Sequence, residues 1–154
     1  MVTVSKKREE KLAKLVREFF AVHPDVKLVA ITGSAGKASA KIAIGTVLAQ
    51  QFDIQLRNEE PKTKADVFLQ MMGVKMPEKG LFKWWKVMRA VKKRIKAEKP
   101  EVQVIVQEFN PKELGYNDWF KAYVVPDITV VTSVTNGRMQ VEYSLEEVAN
   151  EMIS

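Results

Sequence analysis

The chain has 154 residues, of which 46% are hydrophobic, enough for one domain with a packed core. It contains no cysteine, which excludes disulfide bonds and thiolate metal sites and is typical of a reducing compartment. No segment approaches the roughly 20 consecutive apolar residues that span a bilayer, and residues 1–10 lack the apolar core of a signal peptide. We therefore expect a cytoplasmic protein without a membrane span.

The net charge of +6 is concentrated in one segment. Residues 81–100 contain eight Lys or Arg against one Glu, so the rest of the chain is close to neutral. The segment predicts a helix from about Leu81 to Lys99 with an apolar stripe on one side. The stripe comprises Phe82, Trp85, Met88, Val91 and Ile95. We expect this helix to pack its stripe on a sheet. The alternatives are an anionic lipid surface or a nucleic-acid backbone, and nucleic acid is the partner we least expect.

The N-terminal segment predicts another helix. Residues 6–22 place apolar side chains at helical spacing after Ser5, which is a suitable N-cap, and the pattern ends at His23-Pro24. His23 is the only histidine of the chain. Because it stands at a helix end beside a proline, we expect it to lie at the surface or to cap the helix.

A short strand, a glycine-bearing turn and a helix follow. Leu28–Ile31 predicts a buried strand, and a helical pattern begins near Lys37 and ends near Gln51. Glycines let backbone N–H groups approach an anion closely, and a helix start adds unpaired donors and the positive end of its dipole. The segment therefore predicts a phosphate-binding loop in which Lys37 supplies a point charge. The alternative is an ordinary strand-to-helix turn with a solvated lysine.

This loop departs from the general phosphate-loop pattern in two respects. Only two residues separate Gly33 from Gly36, whereas the general pattern has four. Ala38 stands where a hydroxyl normally binds Mg²⁺, and Ser39 is one residue further on.

The remaining segments alternate between strand and helix patterns. Predicted strands cover 52–56, 102–107 and 128–134, and predicted helices cover 63–72, 117–125 and 144–153. Thr63 with Asp66 forms a near-capping-box arrangement at the start of one of these helices, and Ser144 with Glu147 forms a full capping box at the start of another. The fold class that we predict is α/β: a three-layer α/β/α sandwich with a mostly parallel sheet, of the P-loop NTPase type.

Two further segments bear on the site. Glu108 follows a predicted strand, at the sheet edge where ligands bind in such folds. It is either a Mg²⁺ ligand or a solvated acid at a strand end. Asn136-Gly137 predicts a tight turn before a brief extended segment, residues 139–143.

Several of these segments resemble the central ATP-binding domain of the Mur ligases, the ATP-dependent enzymes that build the peptidoglycan stem peptide. The run from Thr32 to Lys37 is similar to the shortened family loop, Thr-Gly-x-x-Gly-Lys. Other similar segments are Leu56-Arg57-Asn58-Glu59, Val104-Ile105-Val106-Gln107-Glu108-Phe109, Pro126-Asp127-Ile128-Thr129-Val130-Val131-Thr132 and Ser144-Leu145-Glu146-Glu147-Val148-Ala149. Order and spacing hold from about residue 27 to 150, and the subgroup that adds D-alanyl-D-alanine is the most similar.

The resemblance implies one ATP-binding domain over residues 1–154, with an N-terminal helix in 1–26 and an α/β core in 27–154. It implies ATP and Mg²⁺ as cofactors. The implied nucleotide-binding residues are Thr32, Gly33, Ser34, Ala35, Gly36, Lys37, Ala38 and Ser39. The implied metal ligands are Ser39 and Glu108.

The sequence also differs from the family at polar positions. Ala38 replaces the Mg²⁺-binding Thr or Ser, Arg138 replaces a histidine, and Gln140 replaces a glutamate. Asn110 replaces a glycine, and Met152 falls near the modified lysine of the family. The N-terminal and C-terminal domains of the family have no counterpart in these residues.

The resemblance implies a nucleotide-binding domain of an amide ligase that acts through an acyl phosphate on a peptidoglycan precursor. We expect it to be inactive alone, and no catalytic residue is assigned. One alternative is a non-catalytic or engineered α/β scaffold of the same ancestry that does not bind nucleotide. Another is a polyanion-binding module that uses residues 83–99. Apolar surface where family domains would pack could also support self-association.

Overall fold

The computed structural model describes residues 4–77, 80–111, 114–135 and 144–153, apart from the side chain of Leu81. Within them are six helices and four strands. In chain order these are α1 (Lys6–Val22), β1 (Lys27–Thr32), α2 (Lys37–Leu48), β2 (Ile54–Leu56), α3 (Lys64–Met71), α4 (Leu81–Ile95), β3 (Val104–Glu108), α5 (Tyr116–Lys121), β4 (Ile128–Val131) and α6 (Leu145–Ile153). The predicted elements are all present, with ends that differ by a few residues. The predicted turn at Asn136-Gly137 and the segment 139–143 lie outside the described residues.

The four strands form one parallel sheet in the order β2-β3-β1-β4. The central strands β1 and β3 are almost completely buried, as expected for apolar, β-branched segments covered on both faces. The edge strand β4 is largely exposed. The predicted α/β class and parallel sheet are therefore confirmed.

The side chains of the central strands alternate between two cores. Leu28, Ala30 and Ile105 face a large core formed with residues of α1, α3, α4 and α5. The opposite side chains face α2 alone. This smaller core comprises Val29, Ile31, Val104 and Val106, with Ala40, Ile44, Leu48, Ile54, Leu56 and Val130 at its margin. Helices thus cover the sheet on both faces, which gives the three-layer arrangement.

Both predicted helix starts are confirmed, and the near-capping-box arrangement of Thr63 is a complete capping box. The Thr63 hydroxyl accepts from the Asp66 N–H at 3.1 Å, and the Asp66 carboxylate accepts from the Thr63 N–H at 3.0 Å. At the start of α6, Glu147 accepts from the N–H of Ser144 at 2.8 Å, and the Ser144 hydroxyl accepts from the Glu147 N–H at 3.2 Å. Each exchange satisfies two donors that a helix start leaves unpaired.

The predicted apolar stripe of α4 is wrong at its N-terminal half. Phe82 and Trp85 are 65% and 55% exposed, while the neighbouring Trp84 and Val87 are buried. Two stripes, offset by one residue, fit the helical period in this segment. Packing against α1 selects the one that contains Trp84, where the Arg8 guanidinium lies 5.1 Å from the indole centroid. Only Val91 and Ile95 of the expected stripe are buried, and Met88 is half-buried.

Of the two roles expected for His23, capping α1 is confirmed, because His23 is the C-cap residue of the helix, and a surface position is wrong. Its side chain is buried against the ring of Phe19, with centroids 5.0 Å apart, and its Nε2 lies 3.2 Å from the carbonyl oxygen of Ile95. His23 therefore joins the end of α1 to the end of α4. The contact spans 72 residues of sequence, so no local pattern could indicate it.

Candidate functional site

The strand register brings the predicted site residues to one edge of the sheet. Ile31 of β1 pairs with Glu108 of β3, and Thr32 pairs with Val131 of β4. The glycine loop, the end of β3 and residues 132–135 therefore meet at the carboxyl ends of three adjacent parallel strands. Ligands of open α/β sheets bind at this edge.

The loop after β1 depends on its two glycines. Gly33 has φ +135° and Gly36 has φ +80°, conformations that other residues rarely adopt. A Cβ atom at Gly33 would lie 2.2 Å from the hydroxyl of Thr132. The turn that connects β1 to α2 thus requires glycine for its backbone and for the close approach of the strand beside it.

Residues 132–135 hold the first half of the loop. The Ser34 N–H donates to the Ser133 carbonyl at 2.8 Å, and the Ala35 N–H donates to the Ser133 hydroxyl at 2.8 Å. The Thr135 N–H donates to the Ser34 hydroxyl at 2.8 Å, and Thr132 donates its hydroxyl to the Ala35 carbonyl at 2.5 Å. Because these bonds use the N–H groups of Ser34 and Ala35, donors for an anion would come from the start of α2.

The start of α2 opens into a cleft of about 250 Å³. The cleft is lined by Gly36, Lys37, Ala38, Ser39, Asn58, Glu60 and Glu108. The N-cap residue, Gly36, makes no side-chain capping bond, and the first backbone bond of the helix runs from the Ala40 N–H to the Gly36 carbonyl. The N–H groups of the first turn and the positive end of the helix dipole are therefore directed at the cleft.

Lys37 is buried beside the loop that it follows. Its ammonium donates to the carbonyl oxygen of Gly33 at 2.6 Å, across the turn. A buried lysine needs compensation for its lost hydration, and this bond supplies part of it. Lys37 therefore lies at the cleft and is not a solvated lysine.

A second buried lysine lies one helical turn further on. The Lys41 ammonium is 2.8 Å from the Glu108 carboxylate, and both side chains are at most 5% exposed. Lys41 also reaches the carbonyl oxygen of Asn58 at 3.4 Å. Glu108 is therefore not a solvated acid at a strand end. The sequence analysis missed Lys41, although its position four residues after Lys37 puts both on the same helix face.

The residues present fit a protein-held Mg²⁺ poorly. The implied ligand Glu108 has its Oε2 atom engaged by Lys41, and Ala38 offers no oxygen from its side chain. Ser39, the other implied ligand, is exposed. In the described ranges, no three acidic or histidine side chains are grouped to hold a metal ion.

Three more residues compared with the family have defined positions. The Thr32 hydroxyl is buried without a hydrogen-bond partner and borders a cavity of about 40 Å³, which Met152 also lines. Asn110 donates to Glu60 at 2.5 Å, at the rim of the cleft at the start of α2. Arg138 and Gln140 lie outside the described residues.

No helix in the described part of the chain is long and apolar enough to cross a membrane. No family model, curated protein or solved structure matches this chain. The similarity to the Mur ligases therefore depends on the sequence motifs alone, and the functional argument depends on the geometry of the cleft.

Proposed function

We propose that this domain binds the phosphate chain of ATP at the start of α2. The observation that supports this most directly is an uncapped helix start, with one buried lysine lining the cleft and a second buried beside it. Backbone N–H donors, a helix dipole and an ammonium group together attract a multivalent anion. The resemblance to the Mur ligases supplies the nucleotide and the class of reaction.

Each lysine has a distinct part in this proposal. Lys37 exchanges the Gly33 carbonyl for a phosphate oxygen when the anion enters. Lys41 stays on Glu108 and neutralises a carboxylate that would otherwise repel phosphate inside the cleft. A lysine ammonium suits this position because it acts as a compact point charge. The proposal requires no metal held by the protein.

The reaction implied by the resemblance is amide-bond formation through an acyl phosphate on a peptidoglycan precursor. In this proposal the domain contributes the ATP site. Closing the cleft, excluding water and placing a carboxylate and an amine require surfaces that the cleft does not provide. We therefore expect ATP binding without ligase activity when these residues are tested alone.

A scaffold without nucleotide binding is the second candidate. One observation favours it: the loop satisfies its own groups through the 132–135 segment and through the bond from Lys37 to Gly33. In that case the glycine loop would serve only to connect β1 to α2.

Thermal unfolding with and without ATP separates the two candidates. A ligand present at a hundredfold its dissociation constant stabilises a protein by about 2.7 kcal/mol, which raises the melting temperature by several degrees. We expect this rise for the native chain and its loss in Lys37→Ala. Lys14→Ala is the matched control, because Lys14 is an exposed lysine on α1, far from the loop in sequence.

The same experiment tests whether ATP binding depends on Mg²⁺. Because Glu108 is paired with Lys41, we expect the rise with ATP to persist when Mg²⁺ is replaced by a chelator. If the melting temperature does not change with ATP under either condition, the scaffold candidate is correct. If Lys37→Ala responds as the native chain does, the phosphates bind elsewhere.

A further inference from the structure

The outer side of α4 carries two exposed aromatic rings among cations. We use the term cationic aromatic surface for Arg8 and Lys11 of α1 together with Phe82, Trp85, Lys86, Arg89 and Lys92 of α4. It borders a cleft of about 460 Å³, whose described lining residues include no acid. Lys86, Arg89 and Lys92 are all exposed on this side of the helix.

The core does not require the two aromatic rings of this surface. The inward side of α4 is provided by Trp84, Val87, Val91 and Ile95, all of them buried. Phe82 and Trp85 lie on the other side of the helix. Because they are more than half exposed, they contribute less than half of the hydrophobic free energy that full burial would give. Exposed large apolar groups inside a charged surface mark a site of interaction more often than isolated ones do.

The two exposed rings are nearly parallel, and each has a cation over it. The rings of Phe82 and Trp85 stack with centroids 5.9 Å apart and an interplanar angle of 17°. The Lys86 ammonium lies 4.9 Å from the Phe82 centroid, and the Arg89 guanidinium lies 5.5 Å from the Trp85 centroid. Cations thus lie directly beside exposed apolar rings, an arrangement that brings charge and apolar surface together.

We propose that the cationic aromatic surface docks this protein peripherally on an anionic lipid bilayer. The Lys and Arg side chains contact phosphate headgroups, and the edges of Phe82 and Trp85 enter the boundary between headgroups and acyl chains. Basic helices with exposed aromatic residues bind in this way, through charge and buried apolar area together. The docking is independent of the nucleotide site, since it uses none of the residues of the phosphate cleft.

The geometry favours a bilayer over a single-stranded nucleic acid. Bases stack on the open face of an aromatic ring. Here Phe82 and Trp85 cover part of each other, and Lys86 and Arg89 lie over the rings as well. Insertion among lipids, by contrast, requires exposed apolar area and not an open ring face, and Phe82 and Trp85 are more than half exposed.

Cosedimentation with vesicles tests the proposal on the native chain. We expect binding to phosphatidylcholine vesicles that contain phosphatidylglycerol, little binding to phosphatidylcholine alone, and a loss of binding as salt rises. The exposed indole of Trp85 should report insertion as a blue shift of the tryptophan fluorescence. Replacing Lys86, Arg89 and Lys92 together by Gln should weaken vesicle binding about a hundredfold, since each cation near the surface contributes separately.

Matched variants distinguish binding by this surface from non-specific binding to vesicles. Phe82→Ser with Trp85→Ser should remove the blue shift and weaken binding. Ile42→Ser with Val47→Ser should change neither, although these α2 side chains are 56% and 71% exposed. The charge control replaces three exposed cations of other elements, Arg17, Lys75 and Lys121, by Gln.

Three results would overturn the proposal. The first is equal binding to neutral and anionic vesicles. The second is equal weakening in the control and test variants. The third is salt-sensitive binding to a single-stranded DNA oligonucleotide together with no binding to anionic vesicles, which would assign the surface to nucleic acid. All altered side chains are exposed, and circular dichroism melts of each variant confirm that the fold is retained.

Discussion

Two cationic regions of the molecule differ in how their charges are held. At the phosphate cleft, Lys37 and Lys41 are buried, and each ammonium contacts a specific oxygen atom. On the cationic aromatic surface, Lys86 and Arg89 are exposed and lie over aromatic rings. Buried charges in fixed positions suit a small anion of defined geometry, and exposed charges on long side chains suit an extended anionic surface. The position of a lysine in the fold, more than its residue type, indicates its partner.

The contrast between Trp84 and Trp85 is the largest effect that we expect. Trp84→Ala removes a buried indole beside α1 and should lower the free energy of unfolding by about 4 kcal/mol. Trp85→Ala removes an exposed one and should cost less than about 1 kcal/mol. Urea unfolding of both variants measures the difference. Equal losses of unfolding free energy, or a larger loss for Trp85→Ala, would mean that Trp85 is buried as the sequence predicted. The cationic aromatic surface would then not exist.

The second largest loss of stability that we expect comes from breaking the buried ion pair between Lys41 and Glu108. Lys41→Met leaves the Glu108 carboxylate buried without a counter-charge and should destabilise the protein by about 3 kcal/mol. Adding Glu108→Gln should recover part of that loss, because the uncompensated charge is then removed. The same urea experiment on the two single variants and the double variant measures the coupling. Strictly additive losses would show that the two side chains do not interact.

The third loss of stability that we expect comes from substitution in the glycine turn between β1 and α2. Gly33→Ala introduces a Cβ at φ +135° that would lie 2.2 Å from the Thr132 hydroxyl, and we expect a loss of about 2 kcal/mol. Gly115→Ala is the control, since it also has positive φ but no atom within 4 Å of the new Cβ. It should cost about 1 kcal/mol. A smaller loss at Gly33 than at Gly115 would contradict the close contact with Thr132.

The smallest change in stability that we expect comes from the start of α6, which, like the start of α2, can hold a negative charge. The start of α6 already holds a carboxylate: hydrogen bonds from Ser144 lower the pKa of Glu147 from its ordinary value of 4.5. Because the folded-state pKa is lowered, this carboxylate stabilises the fold above pH 4.5, and the contribution is lost as the pH falls through the lowered value. Glu147→Gln should therefore melt lower than the native chain at pH 7, and the gap should close in acid. Glu146→Gln, an exposed neighbour, is the control; a gap for Glu147→Gln that does not depend on pH would contradict the capping role.

Local patterns in the sequence were enough to predict the strand β1, the glycine loop and the two capped helix starts. Each of these depends on residues within about one helical turn of one another. The register of α4 could not be predicted, because two stripes fit its period and only the contact with α1 selects one. The pair between Lys41 and Glu108 could not be predicted either, since 67 residues separate its members and the sheet order brings them together. The turn and the position of Glu108 at the sheet edge were thus predicted, while Lys41 and its pairing with Glu108 were missed.

The central claim is that the start of α2, and not the cationic aromatic surface, holds the phosphates of ATP. Amide resonances followed by NMR during a titration with ATP test this directly, because both regions are cationic and report separately. We predict that the largest and saturable shifts occur at the amides of Gly36, Lys37, Ala38 and Ser39, with small shifts along α4. Shifts confined to residues of α4, or none at residues 36–39 at saturating ATP, would contradict the phosphate site.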